Sequence, residues 1–473
     1  MPLVESFSGI RGIYDNGMDE KVAVRYGYAY LSFLKKKHGD NVRIVLGTDT
    51  RPSKDMLKNA LIESLNCEII DLDIASTPMV EFAVRHYQAD GGVVVTASHN
   101  EPYWNGFKFL GNDGGILKPE HMDKVIKSYN KIKNLPNKKV SSKEFSNNGL
   151  YKNINPKDIR IKKVTKKYDE INRIYSDYVL SFLQKEDRNI IKNSGLKVII
   201  DPNGGTGAIA KMILERLGLK VIGTNMNHGI FNRAIEPNED SLLYLSNIVR
   251  DKNYDFAAGF DCDADRIEIM TGSGIISGNH ILALIADNIL KNAKNKSIVV
   301  NDATSLVVRD IAKKHKARYA ETQVGEANVV SEMYRLKAPV GGEGSSGGVI
   351  IPDSRCRDGI LTLLLLIKII SKKGERIEEL AEELPKYSYI KTKVNINTSR
   401  HNLIINKLLG YYKKKGCRIK KTKGGSLKVM LGENSFAWFR ASKTEAGILR
   451  VIADSPEKSK TEAIIAEALN LLK

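Results

Sequence analysis

Three aspartates alternate along one short segment of the chain. Asp261, Asp263 and Asp265 follow the apolar run 256–260, which predicts a strand. In extended backbone alternate side chains point the same way, so this spacing places three carboxylates on one side. Their oxygens suit a divalent cation, and Mg2+ leaves room for phosphate oxygens. The alternative is a solvated acidic turn, whereas an EF-hand is excluded because its Gly and distal Glu are absent.

A serine lies at the end of another apolar run. Ser98 and His99 follow the run 92–95, and a hydroxyl at the carboxyl end of a buried strand can point into a cleft. His99 and Lys108 could then manage protons and charge. The alternative is an ordinary strand-to-helix turn with Ser98 as N-cap, because sequence neighbours are not automatically a nucleophile and its base.

Two later segments could bind a phosphorylated sugar. In the glycine-rich run 341–348 the backbone can approach a ligand, and Glu343 with Ser345 or Ser346 could bind sugar hydroxyls. This run is not a P-loop, because no Gly-Lys-Ser/Thr follows, and its alternative is a flexible surface loop. Near the end of the chain, three side chains could form an anion cradle or simply a charged hairpin loop: Arg440, Ser442 and Thr444.

Apolar strands followed by helical patterns recur along the chain and must position these residues. The segments 42–61, 196–214 and 297–312 each predict a strand, a turn and a helix, typical of largely parallel sheets. The last 90 or so residues instead predict an antiparallel sheet with helices on one face, closed by a helix at about 457–472. The Lys-, Asn- and Ser-rich stretch 130–172 is interpreted as an inter-domain or surface segment.

Composition restricts the class of protein. A chain of 473 residues suggests three or four domains, and 42% hydrophobic residues exclude a disordered protein. The longest apolar run, 360–370, predicts a buried helix rather than a membrane span, and we expect no secretory signal. Four scattered cysteines argue against a disulfide framework and suit a reducing cytoplasm. The net charge of +19 fits a solvated lysine-rich surface, and no nucleic-acid recognition motif accompanies it.

The four motifs, taken together and in this order, resemble those of the α-D-phosphohexomutase family. Further elements of the resemblance cover nearly the whole chain: Ser8-Gly9-Ile10-Arg11-Gly12, Asp201-Pro202-Asn203-Gly204-Gly205-Thr206-Gly207, Val324-Gly325-Glu326 and Arg357-Asp358-Gly359. The resemblance implies an α/β protein, with three similar α/β domains of mixed sheets and a C-terminal α+β domain around a central cleft. The domains expected, carrying the phosphoserine, metal, sugar and phosphate loops in turn, are 1–150, 151–256, 257–375 and 376–473.

The resemblance also implies a role for each motif residue. Ser98 would be a phosphoserine that holds Mg2+ together with Asp261, Asp263 and Asp265. Glu343 and either Ser345 or Ser346 would bind the sugar hydroxyls. The phosphate that does not react would be held by Arg440, Ser442 and Thr444. The reacting end would be lined by Arg11, Lys108 and Arg266.

The activity implied is the interconversion of a hexose 6-phosphate and a hexose 1-phosphate. It would proceed through a hexose 1,6-bisphosphate, which also serves as activator. We expect a phosphoglucosamine mutase, with phosphomannomutase/phosphoglucomutase as the first alternative and a non-catalytic phosphosugar-binding paralogue as the second. The partners expected are small phosphosugars, with neither nucleic acid nor membrane, in the cytoplasm.

Some letters depart from the family pattern. Glu101 stands where relatives have Pro, and the phosphate loop lacks the Pro that usually follows its Glu. Gly347 and Gly348 occupy the place of a loop histidine, so Lys108 or His99 would have to transfer the proton.

Overall fold

The structure, a computed structural model, describes residues 3–6, 8–133, 163–397, 401–422, 425–442 and 447–472. The chain divides into two compact units. Unit 1 comprises Met1–Ile267 with Asp353–Leu364, and unit 2 comprises Glu268–Pro352 with Leu365–Lys473. Within the described part, no helix combines the length and apolar composition that crossing a membrane requires. None of the four cysteines forms a disulfide, as their scatter predicted.

Unit 1 begins with a mixed sheet built from the apolar runs of the first third of the chain. Strand Arg43–Thr48 is parallel to its neighbours Glu68–Ile74 and Gly91–Val95, and burial beyond its first residue accounts for its apolar sequence. The strand order is Val4–Ser6, Gly9–Tyr14, Trp104–Leu110, Gly91–Val95, Arg43–Thr48, Glu68–Ile74 and Val164–Lys166, with Gly17–Met18 beside Gly9–Tyr14. The helices of this part are Glu20–His38, Lys54–Ser64, Thr77–His86 and Pro119–Lys133.

Gly106 lies where two strands of this sheet approach closely. A Cβ built there would collide with the carbonyl oxygen of Ile10 and lie 3.0 Å from Arg11 Cα. Because both are backbone atoms, Gly106→Ala is expected to destabilise unit 1 by about 1–3 kcal/mol or more. Thermal unfolding measures this, with Gly410→Ala as control, since a Cβ at Gly410 meets nothing within 4 Å. Equal melting temperatures for Gly106→Ala and the wild type would contradict the close approach.

Three parallel strands form the second sheet region of unit 1. Their order is Lys220–Gly223, Lys197–Asp201 and Phe256–Phe260. The helices around them are Tyr168–Leu180, Lys185–Asn193, Ile209–Glu215 and Glu239–Asp251, with a short 3-10 turn at Thr206–Ala208. The aspartate segment 261–265 follows the carboxyl end of the last strand, where ligands of parallel sheets bind.

Unit 2 holds a second βα arrangement and the antiparallel C-terminal sheet. The first sheet has the order Arg318–Thr322, Ser297–Asn301, Val340–Gly342 and Val349–Ile350, and only its last pairing is antiparallel. The second has the order Ser388–Asn395, Ile448–Ser455, Phe436–Ala441, Leu427–Met430 and Arg418–Lys421, antiparallel throughout. The short pair Ile267–Met270 and Ile275–Ile276 is also antiparallel.

The helices that cover these sheets include the predicted buried and terminal ones. They are Gly278–Asn292, Leu306–Lys314, Glu326–Leu336, Gly359–Lys373, Ile377–Glu382, His401–Lys414 and Lys458–Leu472. Asp454, in the C-terminal sheet, accepts hydrogen bonds from Ser305 Oγ at 2.9 Å and Leu306 N at 2.7 Å. This buried carboxylate therefore ties the first sheet region of unit 2 to the second.

The fold confirms the α/β class and the three strand–turn–helix segments. The interpretation of 130–172 was wrong at both ends, where helices Pro119–Lys133 and Tyr168–Leu180 and strand Val164–Lys166 occur. In both helices the buried residues recur at helical spacing, as in Ile171 and Tyr175, between exposed polar residues that mask the pattern. Residues 134–162 lie outside the described part.

Candidate active site

Ser98 lies in a tight turn between two antiparallel strands, Gly91–Val95 and Trp104–Leu110. Its φ is +53°, in the left-handed region, and its backbone N donates to Thr96 Oγ1 at 2.8 Å. The N-cap interpretation was wrong, because the next element is a strand. The residue is 1% exposed, which is unusual for a polar turn residue and indicates a site rather than a surface loop.

The aspartate segment folds as a compact turn rather than as extended chain. Ala264 has a φ of +54°, so the alternation predicted from extended backbone was the wrong reason for convergence. The three carboxylates nevertheless converge, with one oxygen from each within 4.8 Å of the others, and all three are buried: Asp261, Asp263 and Asp265. The interpretation as a solvated acidic turn is therefore wrong.

Three other parts of unit 1 hold this turn in place. Thr77 donates its N to Asp263 O at 3.0 Å and its Oγ1 to Asp263 Oδ2 at 2.5 Å. Thr206 donates its N to Cys262 O at 2.9 Å, and the N of Gly359 donates to a third carbonyl of the turn at 3.1 Å. The position of the carboxylates is thus fixed from several directions, as a metal or phosphate site requires.

The serine and aspartate turns meet directly. Ser98 Oγ donates a hydrogen bond to Asp261 Oδ2 at 3.0 Å, across 163 positions of sequence. The structure thereby brings together the two motifs that the sequence singled out first.

Cations surround the carboxylates. Lys108 Nζ lies 2.7 Å from Asp263 Oδ2 and 2.8 Å from Asp265 Oδ2, and Arg357 Nη2 donates to Asp265 Oδ1 at 3.2 Å. Arg266 Nε lies 3.7 Å from an Asp261 oxygen. Burial raises the pKa of Asp265, but Arg357, Lys108 and Arg266 outweigh burial and hold that pKa well below its usual range.

The charges of the cluster leave a place for a further cation. Burial, followed by the charges of Asp265 and Asp263, raises the pKa of Asp261 well above its usual range. Asp263 Oδ1 is buried and has no hydrogen-bond partner among the described residues. Three converging oxygen ligands, one unsatisfied and one disfavoured as an anion, fit a divalent cation such as Mg2+.

Lys108 is expected to offset carboxylate repulsion when no metal is bound. Lys108→Met should lower the melting temperature of the metal-free protein strongly, because removing one partner of a buried ion pair costs about 3–5 kcal/mol. Mg2+ should then raise the melting temperature of the variant more than that of the wild type. Calorimetry with and without Mg2+ measures both, with Lys163→Met as control, since Lys163 is 74% exposed. An unchanged metal-free melting temperature would contradict this role.

The other residues predicted at the reacting end are close in sequence or contact to Ser98. Arg11 is buried and donates from Nη1 to Asn100 Oδ1 at 2.7 Å, within the serine turn. Burial, assisted by Arg266, lowers the pKa of Arg11 to about 10. His99 follows Ser98 and is partly buried, and its role in proton transfer stays a prediction.

Glu343, in unit 2, is held by two donors at one oxygen. Asn301 Nδ2 donates to Glu343 Oε1 at 2.9 Å, and Gly325 N donates to the same atom at 2.8 Å. Asn301 Nδ2 also lies 3.4 Å from Ser345 Oγ, whereas Ser346 bonds back through its N to Glu343 O at 2.9 Å. Ser345 and Glu343 therefore share one positioning residue.

The predicted phosphate cradle is described in part. Arg440 lies within strand Phe436–Ala441, opposite Arg450, and not in the loop where it was placed. Burial lowers the pKa of Arg440, while Asp302 and Glu343 act in the opposite direction. Ser442 N donates to Ile448 O at 2.7 Å, and Thr444 lies outside the described residues.

Sequence reasoning missed several of these partners. Asn301 follows an apolar strand just as Ser98 and Asp261 do, and that position was a usable signal. Gly325 and Arg357 stood in segments that carried the family resemblance without a role. Thr77, at the start of helix Thr77–His86, gave no signal, because its partner is 186 positions away.

Comparison with protein families matches three domain models along the chain. They are the phosphoglucomutase/phosphomannomutase alpha/beta/alpha domains I, II and III, at residues 5–136, 174–274 and 277–387. A phosphoglucomutase/phosphomannomutase of Thermococcus kodakarensis is 32% identical over 477 residues, covering 98% of this chain and 97% of that protein. A probable phosphoglucosamine mutase of Pyrococcus horikoshii is 30% identical over the same coverage.

Solved structures share the fold. One of a phosphomannomutase from Thermus thermophilus has a TM-score of 0.79 at 22% identity, covering 100% of this chain and 99% of that chain. One of an Aspergillus fumigatus N-acetylphosphoglucosamine mutase, with GlcNAc-6P and magnesium, has a TM-score of 0.57 at 15% identity, covering 99% and 95%. This chain therefore belongs to the phosphoglucomutase/phosphomannomutase family, the phosphohexomutases, which are Mg2+-dependent isomerases that interconvert sugar phosphates.

Proposed function

We propose that this protein carries out its isomerisation through phosphoserine 98 and a hexose 1,6-bisphosphate, with glucosamine 6-phosphate as its preferred substrate. The observation that carries the proposal is the hydrogen bond from Ser98 Oγ to Asp261 Oδ2 at 3.0 Å. A buried hydroxyl among carboxylates and cations is the arrangement that a phosphoryl carrier needs, because phosphoryl transfer depends on positioning and charge stabilisation.

Each transfer is a displacement at phosphorus. A sugar hydroxyl oxygen forms a bond to phosphorus, and the bond from phosphorus to Ser98 Oγ breaks. The proton that leaves the sugar hydroxyl ends on Ser98 Oγ, through Lys108 or His99. The bisphosphate then turns end for end, and the reverse displacement returns its other phosphoryl group to Ser98. A trace of free bisphosphate acts as activator because it phosphorylates Ser98.

The chain supplies the charges that this displacement needs. Asp261, Asp263 and Asp265, with a phosphate oxygen on Ser98, would hold Mg2+, which offsets charge on the transferred phosphoryl group when bound. Arg11 and Arg266 bind and orient the same phosphoryl group, as the fork of a guanidinium suits phosphate oxygens.

The residues of unit 2 bind the part of the substrate that does not react. Glu343 and Ser345 bind sugar hydroxyls, supported by the Asn301 amide that both contact. Ser346 takes that role only if Ser345 does not. Arg440, Ser442 and Thr444 hold the distal phosphate. The domain bounds 1–150, 151–256, 257–375 and 376–473, the central cleft and the cytoplasmic location are part of this proposal, as is the absence of nucleic-acid or membrane partners.

A coupled assay on three substrates tests the proposal. Glucosamine 6-phosphate, mannose 6-phosphate and glucose 6-phosphate are compared, with Mg2+ and a trace of the matching bisphosphate. Fastest turnover of glucosamine 6-phosphate supports the substrate, which the Pyrococcus relative's name also favours. Preference for either other sugar would instead favour phosphomannomutase/phosphoglucomutase, as in the Thermococcus relative's name. No turnover of any substrate, together with no phosphate on Ser98, would indicate a non-catalytic paralogue.

A further inference from the structure

Arg51 is a buried cation that the proposed chemistry does not use. It follows strand Arg43–Thr48, and its side chain is 0% exposed. Its Nε donates to Asp49 Oδ2 at 3.0 Å, and its backbone N donates to Asp49 Oδ1 at 3.0 Å. A guanidinium taken wholly out of water is costly unless every donor is used, so its remaining partners indicate its purpose.

The two terminal nitrogens of Arg51 bind only the turn that carries Ser98. Nη2 donates to the carbonyl oxygens of Ser98 at 2.7 Å and Asn100 at 2.6 Å. Nη1 donates to those of Glu101 at 2.6 Å and Trp104 at 3.1 Å. Four carbonyls of one turn thus converge on one side chain, which fixes the path of the backbone from Ser98 to the next strand.

Asp49 connects the same arginine to the start of the turn. Thr96 Oγ1 donates to Asp49 Oδ2 at 2.6 Å, and Ser98 N donates to Thr96 Oγ1 at 2.8 Å. The turn is therefore held on both sides of Ser98. This matters because the left-handed φ of Ser98 costs about 1–3 kcal/mol and persists only when the surroundings over-determine it.

We infer that Arg51 is a positioning residue for phosphoryl transfer, holding the Ser98 turn in the conformation that directs Oγ at Asp261. The inference rests on the proposed phosphoserine function. Lysine cannot replace Arg51, because three donors on one nitrogen lack the planar fork that reaches four carbonyls. Loss of the fork changes the rate of transfer to and from Ser98, and leaves the sugar-binding residues of unit 2 intact.

The test uses the full-length protein with glucose 1,6-bisphosphate and Mg2+. Intact mass measured over time gives the rate at which Ser98 gains a phosphoryl group in the wild type, Arg51→Lys and Arg43→Lys. We expect the rate and kcat of Arg51→Lys to fall about 100-fold, the loss that a displacement of about 1 Å brings, with KM within about twofold. Arg43→Lys is the matched control, because Arg43 begins the same strand and its side chain is 42% exposed.

The outcomes separate the inference from the proposed function. A wild type that gains no phosphoryl group overturns the phosphoserine function and the inference with it. A wild type that is phosphorylated, beside a folded Arg51→Lys with the same rate and kcat, overturns only the inference. If Arg51→Lys does not fold, Asp49→Asn decides, because it weakens the orientation of Arg51: a slower rate supports the inference and an unchanged rate overturns it.

Discussion

Replacing Ser98 by Ala is expected to reduce turnover of every hexose phosphate by on the order of 10^4-fold or more. Without Oγ no atom of the turn can carry the phosphoryl group between the two ends of the sugar. The fold should persist, because Ala loses only the hydrogen bond to Asp261, worth about 1 kcal/mol. The coupled assay measures turnover, and thermal unfolding measures the fold.

The control for this replacement is Ser181→Ala, at an exposed serine in the same unit. It should leave turnover unchanged. Intact mass adds a second readout, since the wild type should gain one phosphoryl group from a hexose bisphosphate and Ser98→Ala none. A Ser98→Ala protein with more than a few per cent of wild-type turnover would contradict the phosphoserine mechanism.

Replacing Asp263 by Asn is expected to weaken Mg2+ binding by more than about 100-fold, since loss of even an outer partner of a metal ligand costs 10–100-fold. Asp263 Oδ1 is the buried oxygen without a described partner, and Oδ2 accepts from Thr77 and Lys108. Asn keeps the shape but removes the charge and offers one oxygen in place of two. Calorimetric titration with Mg2+ measures the affinity, and turnover at fixed Mg2+ should fall with it.

Asp255→Asn is the matched control for this prediction. Asp255 precedes the other end of strand Phe256–Phe260, and its carboxylate accepts from Lys197 N at the surface. Its replacement should leave Mg2+ affinity within about twofold of the wild type, the scatter expected for surface positions. Equal Mg2+ affinity in Asp263→Asn and Asp255→Asn would contradict a metal site at the three aspartates.

The parts of the site that follow buried strands could be predicted from the sequence, because a strand's end fixes the position of the next residue. Ser98 and Asp261 are such residues, and the structure brings them into contact. The conformation of their turns could not be predicted. Left-handed φ values at Ser98 and Ala264 arise from contacts with distant segments, and local propensity would disfavour both.

Partners that act from remote segments left the weakest trace in the sequence. Arg51 binds four carbonyls, and carbonyls are the same in every residue, so no pattern of side chains announces the contact. Asn301 and Gly325 hold Glu343 from two separate loops, and only the three-dimensional path of the chain brings them together.

The discontinuity of unit 1 has a consequence for how the protein is made. Arg357, which bonds to Asp265, and Asp358, which accepts from Tyr175 Oη at 2.7 Å, belong to the short segment Asp353–Leu364 that rejoins this unit. During synthesis the ribosome must therefore release most of the chain before the aspartate turn gains its last cation. A nascent chain that stops at residue 267 would expose an incomplete anionic centre, so this unit matures only after much of the other has emerged.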